Sequence, residues 1–455
     1  MPTDTTTALP TAAPEAHGLR TAEVRDLIAE LETGGLDPHA LLIARHGQVL
    51  FRGAWDPWAA DAPALVYSVS KTFTALAIGF LADEGLVDID APVDRYLDEP
   101  NPHGITVKHL LTMNTGHSRE QTLDLPFSVR SLLAIPGEHA PGTHFAYNSP
   151  ASYALSAIAT AASGESLTDY LRPRLFEPLG IGPRWWIPLD GIDQGFSGLH
   201  LTIDDLARIT ICLADGGRFA GRQVIPTAFI DAMSRPWSDT RDPDDPDAGL
   251  GNWGRGYGYQ VWGSRIGFRL DGAYGQFGIV VPDRGIAIAY QGASTEAHRT
   301  LDALLRLVEA FSDSPQDADD AALAPGLDSW TSRGLLTPTD PVQDAEGWSL
   351  SDLGEDRWLL GIPDAGTIEV DADGWRRSVL GAGDTSLAVA VRGERDGGEV
   401  RVHLVVLTSP HRVILTRDEE GLRLRWHSTP LWRPTIDTLH VPARVARAGL
   451  GAAAR

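Results

Sequence analysis

The stretch Tyr67-Ser68-Val69-Ser70-Lys71-Thr72-Phe73-Thr74-Ala75-Leu76 sets a serine and a lysine three residues apart at the head of a long apolar run. The run is Ala-rich, continues to Leu81 and is followed by Gly85, the pattern of a buried helix with a glycine stop. Ser68 is then expected in the first turn, with Lys71 about one turn on and on the same face. An alcohol is a poor nucleophile until a base takes its proton, and an amine one turn away can do so once burial lowers its pKa. The positive end of the helix dipole favours a developing oxyanion nearby. Read this way, Ser68 attacks and Lys71 is its base. Serine is also a common helix cap, and Ser-x-x-Lys recurs by chance. Lysine, however, occurs at positions 71 and 108 and nowhere else, although Lys and Arg together number 38. One of two lysines thus stands where an amine able to lose its proton would help, and an arginine there could not.

Composition narrows the function classes. At 455 residues the chain is too long for one ordinary core, so two domains are expected. A hydrophobic content of 43% with aromatics throughout supports full cores and excludes a disordered chain. The net charge of −23 repels phosphate backbones and anionic membranes, so no nucleic-acid or membrane partner is expected. The expected partner is a small-molecule or peptide substrate. The single cysteine, Cys212, lies in an apolar helical run and reads as a buried inert thiol. Residues 1–14 are Thr/Ala/Pro-rich, without a basic start, an apolar core or a twin arginine; they read as a loose tail and imply a cytoplasmic location. No His/Asp/Cys spacing points to a metal, and no glycine loop to a phosphate cofactor.

The chain from 15 to 312 reads as one domain. A helix is expected from Thr21 to Glu32, then a hairpin of Ala40–Ala44 and Val49–Trp55 turning at His46-Gly47. Helical patterns dominate 118–240, including Ala151–Ala162 and a helix capped by Thr202 with Asp205 at the capping-box position. Strand patterns follow at Tyr257–Trp262, Gly267–Leu270, Gly278–Val281 and Ile286–Tyr290, and a last helix at Thr295–Phe311. Strands at both ends with helices between predict an α+β domain: one antiparallel sheet with a helical insertion. Residues 313–328 are acidic and aperiodic, a linker, and 329–455 carry short strands with Asp-Gly and Gly-Gly turns, a small β-rich domain of barrel-like pattern.

Several pieces together resemble the serine β-lactamase and penicillin-recognising hydrolase family, in particular its class C-like branch of esterases, D-aminopeptidases and nylon-oligomer hydrolases. Tyr67-Ser68-Val69-Ser70-Lys71 is similar to the first motif, and Ile105–Gly116 to the "LLTHTSG" segment. Pro141–Tyr147 is similar to the approach to the second motif, and Leu199–Arg208 with Asp215-Gly216-Gly217 to the "TAxDLAR…NGG" helix. The resemblance implies an antiparallel sheet flanked by helices with a helical subdomain. It also implies that Tyr147 relays the proton between nucleophile and leaving group. Ser149 stands where the family has asparagine, and Asn148 receives no role.

The third motif departs from the family. Gly272-Ala273-Tyr274 fits the glycine-rich end of its Lys-Thr-Gly strand, so the resemblance gives Ala273 and Ser68 the oxyanion-hole N–H groups. The lysine and threonine that hold a β-lactam carboxylate are replaced by Leu270 and Asp271. An aspartate repels a carboxylate, which weighs against β-lactam hydrolysis. Arg269 and Asp271 alternate onto one face of the strand and are expected to neutralise each other. Ser149, Asp271, Gly272 and Tyr274 are the expected substrate-binding residues. His117, His144 and His200 flank the motifs and could line the pocket, and Trp185-Trp186 reads equally as pocket wall or packing. The leading expectation is a serine hydrolase of esters or amides working through an acyl-enzyme. An acyltransferase or peptide cyclase of the same fold, a β-lactamase and a non-catalytic binding module are the alternatives.

Overall fold

The computed structural model describes residues 8–241, 251–317, 330–331, 343–431 and 433–452. Its helices are α1 (Thr21–Thr33), α2 (Ser70–Asp83), α3 (Ser149–Ser163), α4 (Ile203–Ala214) and α5 (Ala297–Ala310), among shorter ones. The strands of the principal sheet are β1 (Pro38–Arg45), β2 (Gln48–Asp56), β3 (Trp262–Gly263), β4 (Phe268–Gly272), β5 (Gln276–Val281), β6 (Ile286–Gly292) and β7 (Trp330–Thr331). Their order is β7-β2-β1-β6-β5-β4-β3, antiparallel except for β7, which runs parallel to β2. The β1–β2 hairpin turns at His46 (φ 49°) and Gly47 (φ 75°) as expected, two left-handed residues that match the twist of the strands. The two ends of the domain meet where β1 pairs with β6, Ile43 opposite Ile288.

Successive side chains along each strand face opposite ways, so both faces of the sheet are apolar. Leu41, Ile43, Ile279 and Ile288 pack with Leu27 and Leu31 of α1 and Leu304 and Val308 of α5. Leu42, Ala44, Val280 and Ala289 pack on the other face with α4 and α2. Helix α2 is buried from Ser70 to Leu81, which explains an apolar sequence with no polar stripe. The Thr202–Asp205 capping box opens α4 as expected.

Three expectations need correction. Residues 10–12, assigned to a loose tail, are hydrogen-bonded along β2: the Val49 N–H donates to the Pro10 carbonyl (2.7 Å) and the Ala12 N–H to that of Val49 (3.0 Å). Trp330–Thr331, assigned to the second domain, lies on the edge of the first sheet. Tyr257–Trp262 is not one strand: Tyr257 makes isolated bridges and Trp262 opens β3, because Gln260 between them turns left-handed (φ 57°). Its side chain points inward, donating to the Leu110 and Leu111 carbonyls and accepting from Ser152. Residues 1–7 of the expected tail and 318–328 of the expected linker lie outside the described residues.

Beyond the linker, six antiparallel strands run in the order Gln343–Asp344, Gly421–Trp426, Arg412–Asp418, Glu399–Val406, Leu387–Asp396 and Arg376–Leu380. A second sheet contains Ser349–Gly354, Arg357–Ile362 and Gly366–Asp371. The two share a core around Trp358, Val391, Leu404 and Trp426. This β-rich part packs on the principal sheet through Trp58, which contacts an apolar cluster of Ala388, Val405, Leu407 and Val441. Beside it, Arg412 and Asp37 form a buried ion pair across the contact (3.2 Å). Burial raises the Asp37 pKa, but Arg412, with His39 and His427, outweighs it and holds the carboxyl well below the usual range.

Candidate active site

Ser68 stands in a 3-10 turn, Tyr67–Val69, that leads into α2, just ahead of the helix instead of inside its first turn. The turn is pinned by Ser70, whose hydroxyl donates to the Tyr67 carbonyl (2.6 Å) and accepts from the Leu199 N–H (3.1 Å). Tyr67 itself adopts a left-handed φ of 46°. Lys71 follows in α2 and is 1% exposed. Its Nζ lies 3.1 Å from Ser68 Oγ, 3.2 Å from Ser149 Oγ and 2.8 Å from the Phe196 carbonyl oxygen. All three neighbours are neutral, so no counter-charge offsets the cost of burying an ammonium, and burial lowers the Lys71 pKa to about 7.

Tyr147 approaches from the loop before α3. It is hydrogen-bonded to Ser68, and its ring lies 4.9 Å from Lys71 Nζ and stacks on Trp262. Burial pushes the phenol pKa well up; the hydrogen bond to Ser68 opposes this and the Asp271 charge adds to it. Tyr147 therefore stays protonated at neutral pH. Asn148 turns away: it caps α3, accepting from the Ala151 N–H (3.0 Å) and donating to Thr115 (3.0 Å). Ser149 is the member of this segment whose hydroxyl reaches Lys71.

The third wall is β4 and the turn after it. A Cβ at Gly272 would lie 2.4 Å from the Val66 carbonyl oxygen, so glycine is what lets this strand end come against the Tyr67–Val69 turn. Arg269 and Asp271 share one face of β4 as expected, with Arg269 Nε donating to Asp271 (2.8 Å). Burial raises the Asp271 pKa; Arg269 and a hydrogen bond from Trp253 pull it back. Arg269 is fully buried and also donates to the carbonyls of Asn252 and Gly263. Its Nη2 is buried without a hydrogen-bond partner.

A cavity of about 390 Å³ opens in front of Ser68. The structure brings Tyr147, Ser149, Asp271, Gly272, Ala273 and Tyr274 to its wall beside Ser68, with Lys71 behind. Tyr67, Phe196, Ser197, Trp253, Trp262, Ala297 and Leu431 also line it, and sequence reasoning missed all of them. Gly195 and Gly198, both left-handed, bracket Phe196-Ser197 and were a readable signal for a shaped loop. Leu431, in the β-rich part of the chain, carried none.

The remaining candidates lie elsewhere. His117 is buried against Thr115 and the Ile135 carbonyl, and His144 stacks on His139. His200 donates to the Gly198 carbonyl, and burial takes its pKa to about 4. Trp186 donates to the Ser197 carbonyl from the core, and Trp185 packs on His200; both are packing residues. Cys212 is buried, its thiol pushed up to about 12. No helix among the described residues is long and apolar enough to cross a membrane.

Over 138 residues the chain is 31% identical to the esterase/β-lactamase LipL of Mycobacterium tuberculosis, covering 28% of this chain and 32% of LipL. Over 175 residues it is 29% identical to the esterase EstB of Burkholderia gladioli, covering 31% and 44%. The chain thus spans less than half the length of these curated relatives. Among solved structures, the octameric penicillin-binding protein homologue from Pyrococcus abyssi superposes with a TM-score of 0.51 at 16% identity. That likeness covers 89% of this chain and 99% of the other, a similarity of fold that extends beyond the principal sheet. EstCE1, described as a hydrolase with promiscuous acyltransferase activity, gives a TM-score of 0.51 at 17% identity, covering 64% and 97%. The beta-lactamase family model matches residues 24–311, more than half of the 455 residues, and the chain belongs to that family.

Proposed function

We propose that the protein is a serine hydrolase of uncharged esters or small amides, acting through an acyl-enzyme on Ser68. The observation that carries this reading is a buried, near-neutral amine 3.1 Å from the Ser68 hydroxyl. A neutral amine has two N–H groups and one lone pair. With the N–H groups directed at the Phe196 carbonyl and Ser149, the lone pair is left for the Ser68 proton. As Ser68 Oγ bonds to the substrate carbonyl carbon, the proton passes to Lys71 and the carbonyl oxygen becomes an oxyanion. The N–H groups of Ser68 and Ala273 receive it. On collapse the bond to the leaving group breaks, and Tyr147, a neutral phenol, passes the Lys71 proton to that group. Water then attacks the acyl-enzyme, returning a proton along the same path and releasing the acid.

The substrate class follows from charge. Among the described residues of the cavity wall there is one carboxylate, Asp271, and no lysine or arginine; the nearby Arg269 is fully buried and paired with Asp271. A carboxylate-bearing acyl donor finds no partner, whereas Phe196, Trp253, Trp262 and Leu431 suit an apolar one. Esterase names among the relatives support this reading. The test is hydrolysis of p-nitrophenyl butyrate beside nitrocefin, with Ser68→Ala as the blank. The ester should turn over and nitrocefin hardly at all; faster nitrocefin turnover would replace the esterase reading with a β-lactamase one.

A further inference from the structure

Two left-handed tyrosines flank the two N–H donors assigned above to the oxyanion. Tyr67 (φ 46°) precedes Ser68, and Tyr274 (φ 64°) follows Ala273. Such conformations are strained for non-glycine residues and persist where surroundings over-determine them. Here the surroundings come from the β-rich part of the chain. The Tyr67 phenol is hydrogen-bonded to His411 Nε2 (2.5 Å) and to the Leu431 backbone, and the Tyr274 phenol donates to the Thr429 carbonyl. The three rings form a triangle: Tyr67 and Tyr274 centroids are 5.5 Å apart, and His411 lies 5.8 Å from the first and 5.2 Å from the second.

The roles of the imidazole nitrogens follow from their partners. His411 Nδ1 lies 2.7 Å from the Ser428 carbonyl oxygen, which can only accept, so Nδ1 carries the proton. Nε2 is then an acceptor, and Tyr67 donates to it. The ring is fully buried between the strand-exit segment 428–431 and the nucleophile turn.

We propose that His411 is a positioning residue for the oxyanion hole, through which the β-rich part of the chain fixes the backbone on either side of both donors. His411 touches no reacting atom. It acts by keeping the Tyr67 backbone in the conformation that aims the Ser68 N–H, while Thr429 does the same for the turn that contains Ala273. The proposal rests on the acyl-enzyme reading above.

The test is a double-mutant cycle in the full-length protein with His411→Phe, Tyr67→Phe and the pair, together with His411→Gln. Removing an oxyanion donor outright costs about 10²–10³ in kcat, so loosening one is expected to cost roughly tenfold. Each single variant should lose about that factor in kcat with KM within about twofold, and fluorophosphonate labelling of Ser68 should slow in parallel. The pair should be no worse than Tyr67→Phe alone, because that variant already removes the hydrogen bond to His411 together with the one to the Leu431 backbone. His411→Gln, whose carboxamide can accept in the same place, should recover most of the rate. A purely structural His411 would instead lower stability while leaving kcat of the folded fraction unchanged. Wild-type labelling rates in both singles, or losses that multiply in the pair, would overturn the proposal. Should His411→Phe fail to fold, Tyr67→Phe against wild type and His411→Gln decides it. Absence of labelling in the wild type would contradict the acyl-enzyme reading itself, a separate outcome.

Discussion

Lys71→Met separates the stability and the catalytic consequences of a buried amine. Burial brings the Lys71 pKa down to about 7 in the folded protein, from 10.5 for a free lysine side chain. Between those values the unfolded chain still binds the proton that the folded protein has lost. Stability therefore rises with pH across that window, and below pH 7 the full penalty of a buried ammonium applies. At 1.36 kcal/mol per pH unit, the fall from 10.5 to about 7 puts that penalty on the order of 5 kcal/mol. Methionine removes it but leaves the buried Phe196 carbonyl without its donor, a loss of about 1–3 kcal/mol, while the hydroxyls of Ser68 and Ser149 line the cavity and can turn to solvent. At pH 6 the variant should thus be more stable by about 2–4 kcal/mol in urea unfolding, and by pH 10 the gain should vanish or reverse. It should also be inactive. In the wild type, kcat/KM should rise roughly tenfold from pH 6 to pH 8 and then level off, as the neutral fraction of a base near 7 does. A variant no more stable at pH 6, or equally favoured at pH 6 and 10, would refute the reasoning. So would a rate that climbs without a plateau to pH 10.

Lys71→Arg should be nearly dead, since a guanidinium cannot act as a base at these pH values, and Tyr147→Phe should lose at least ~100-fold in rate; steady-state ester hydrolysis checks both. Gly272→Ala should lower kcat by at least ~10-fold, because the added methyl meets the Val66 carbonyl at 2.4 Å and must push β4 from the nucleophile turn. Asp37→Asn leaves Arg412 buried without its counter-charge and should cost about 3–5 kcal/mol in denaturant unfolding. The Asp37 pKa is depressed in the fold, so its contribution is present above about pH 4 and lost as pH falls further; the variant's deficit should shrink in acid.

Features written in local chemistry were legible. The His46-Gly47 turn, the Thr202–Asp205 box and the Ser68–Lys71 spacing each depend on residues within one turn of one another; the first two appear where they were expected, and Ser68 meets Lys71 from a 3-10 turn just ahead of the helix. Tyr257–Trp262 was misread because its alternation of aromatics looks like a strand, while Gln260 satisfies buried carbonyls on a distant helix. The expected tail and the second-domain start were misread for a related reason: residues 10–12 and 330–331 pair with β2, and edge pairing leaves no periodic trace in a two- or three-residue segment. Leu431 and His411 were out of reach, since nothing near either residue encodes contact with a turn at position 67. The roles at the third motif were approachable through a substitution, Asp271, whose neutralising partner Arg269 stands two residues away on the same strand.

The most direct measurement of the central claim is intact-mass analysis after reaction with a fluorophosphonate probe, followed by peptide mapping. One adduct per chain is predicted, on the peptide that contains Ser68, with a labelling rate that falls below pH 7 as Lys71 becomes protonated. Labelling that persists in Ser68→Ala, or an adduct that maps to another residue, would contradict it.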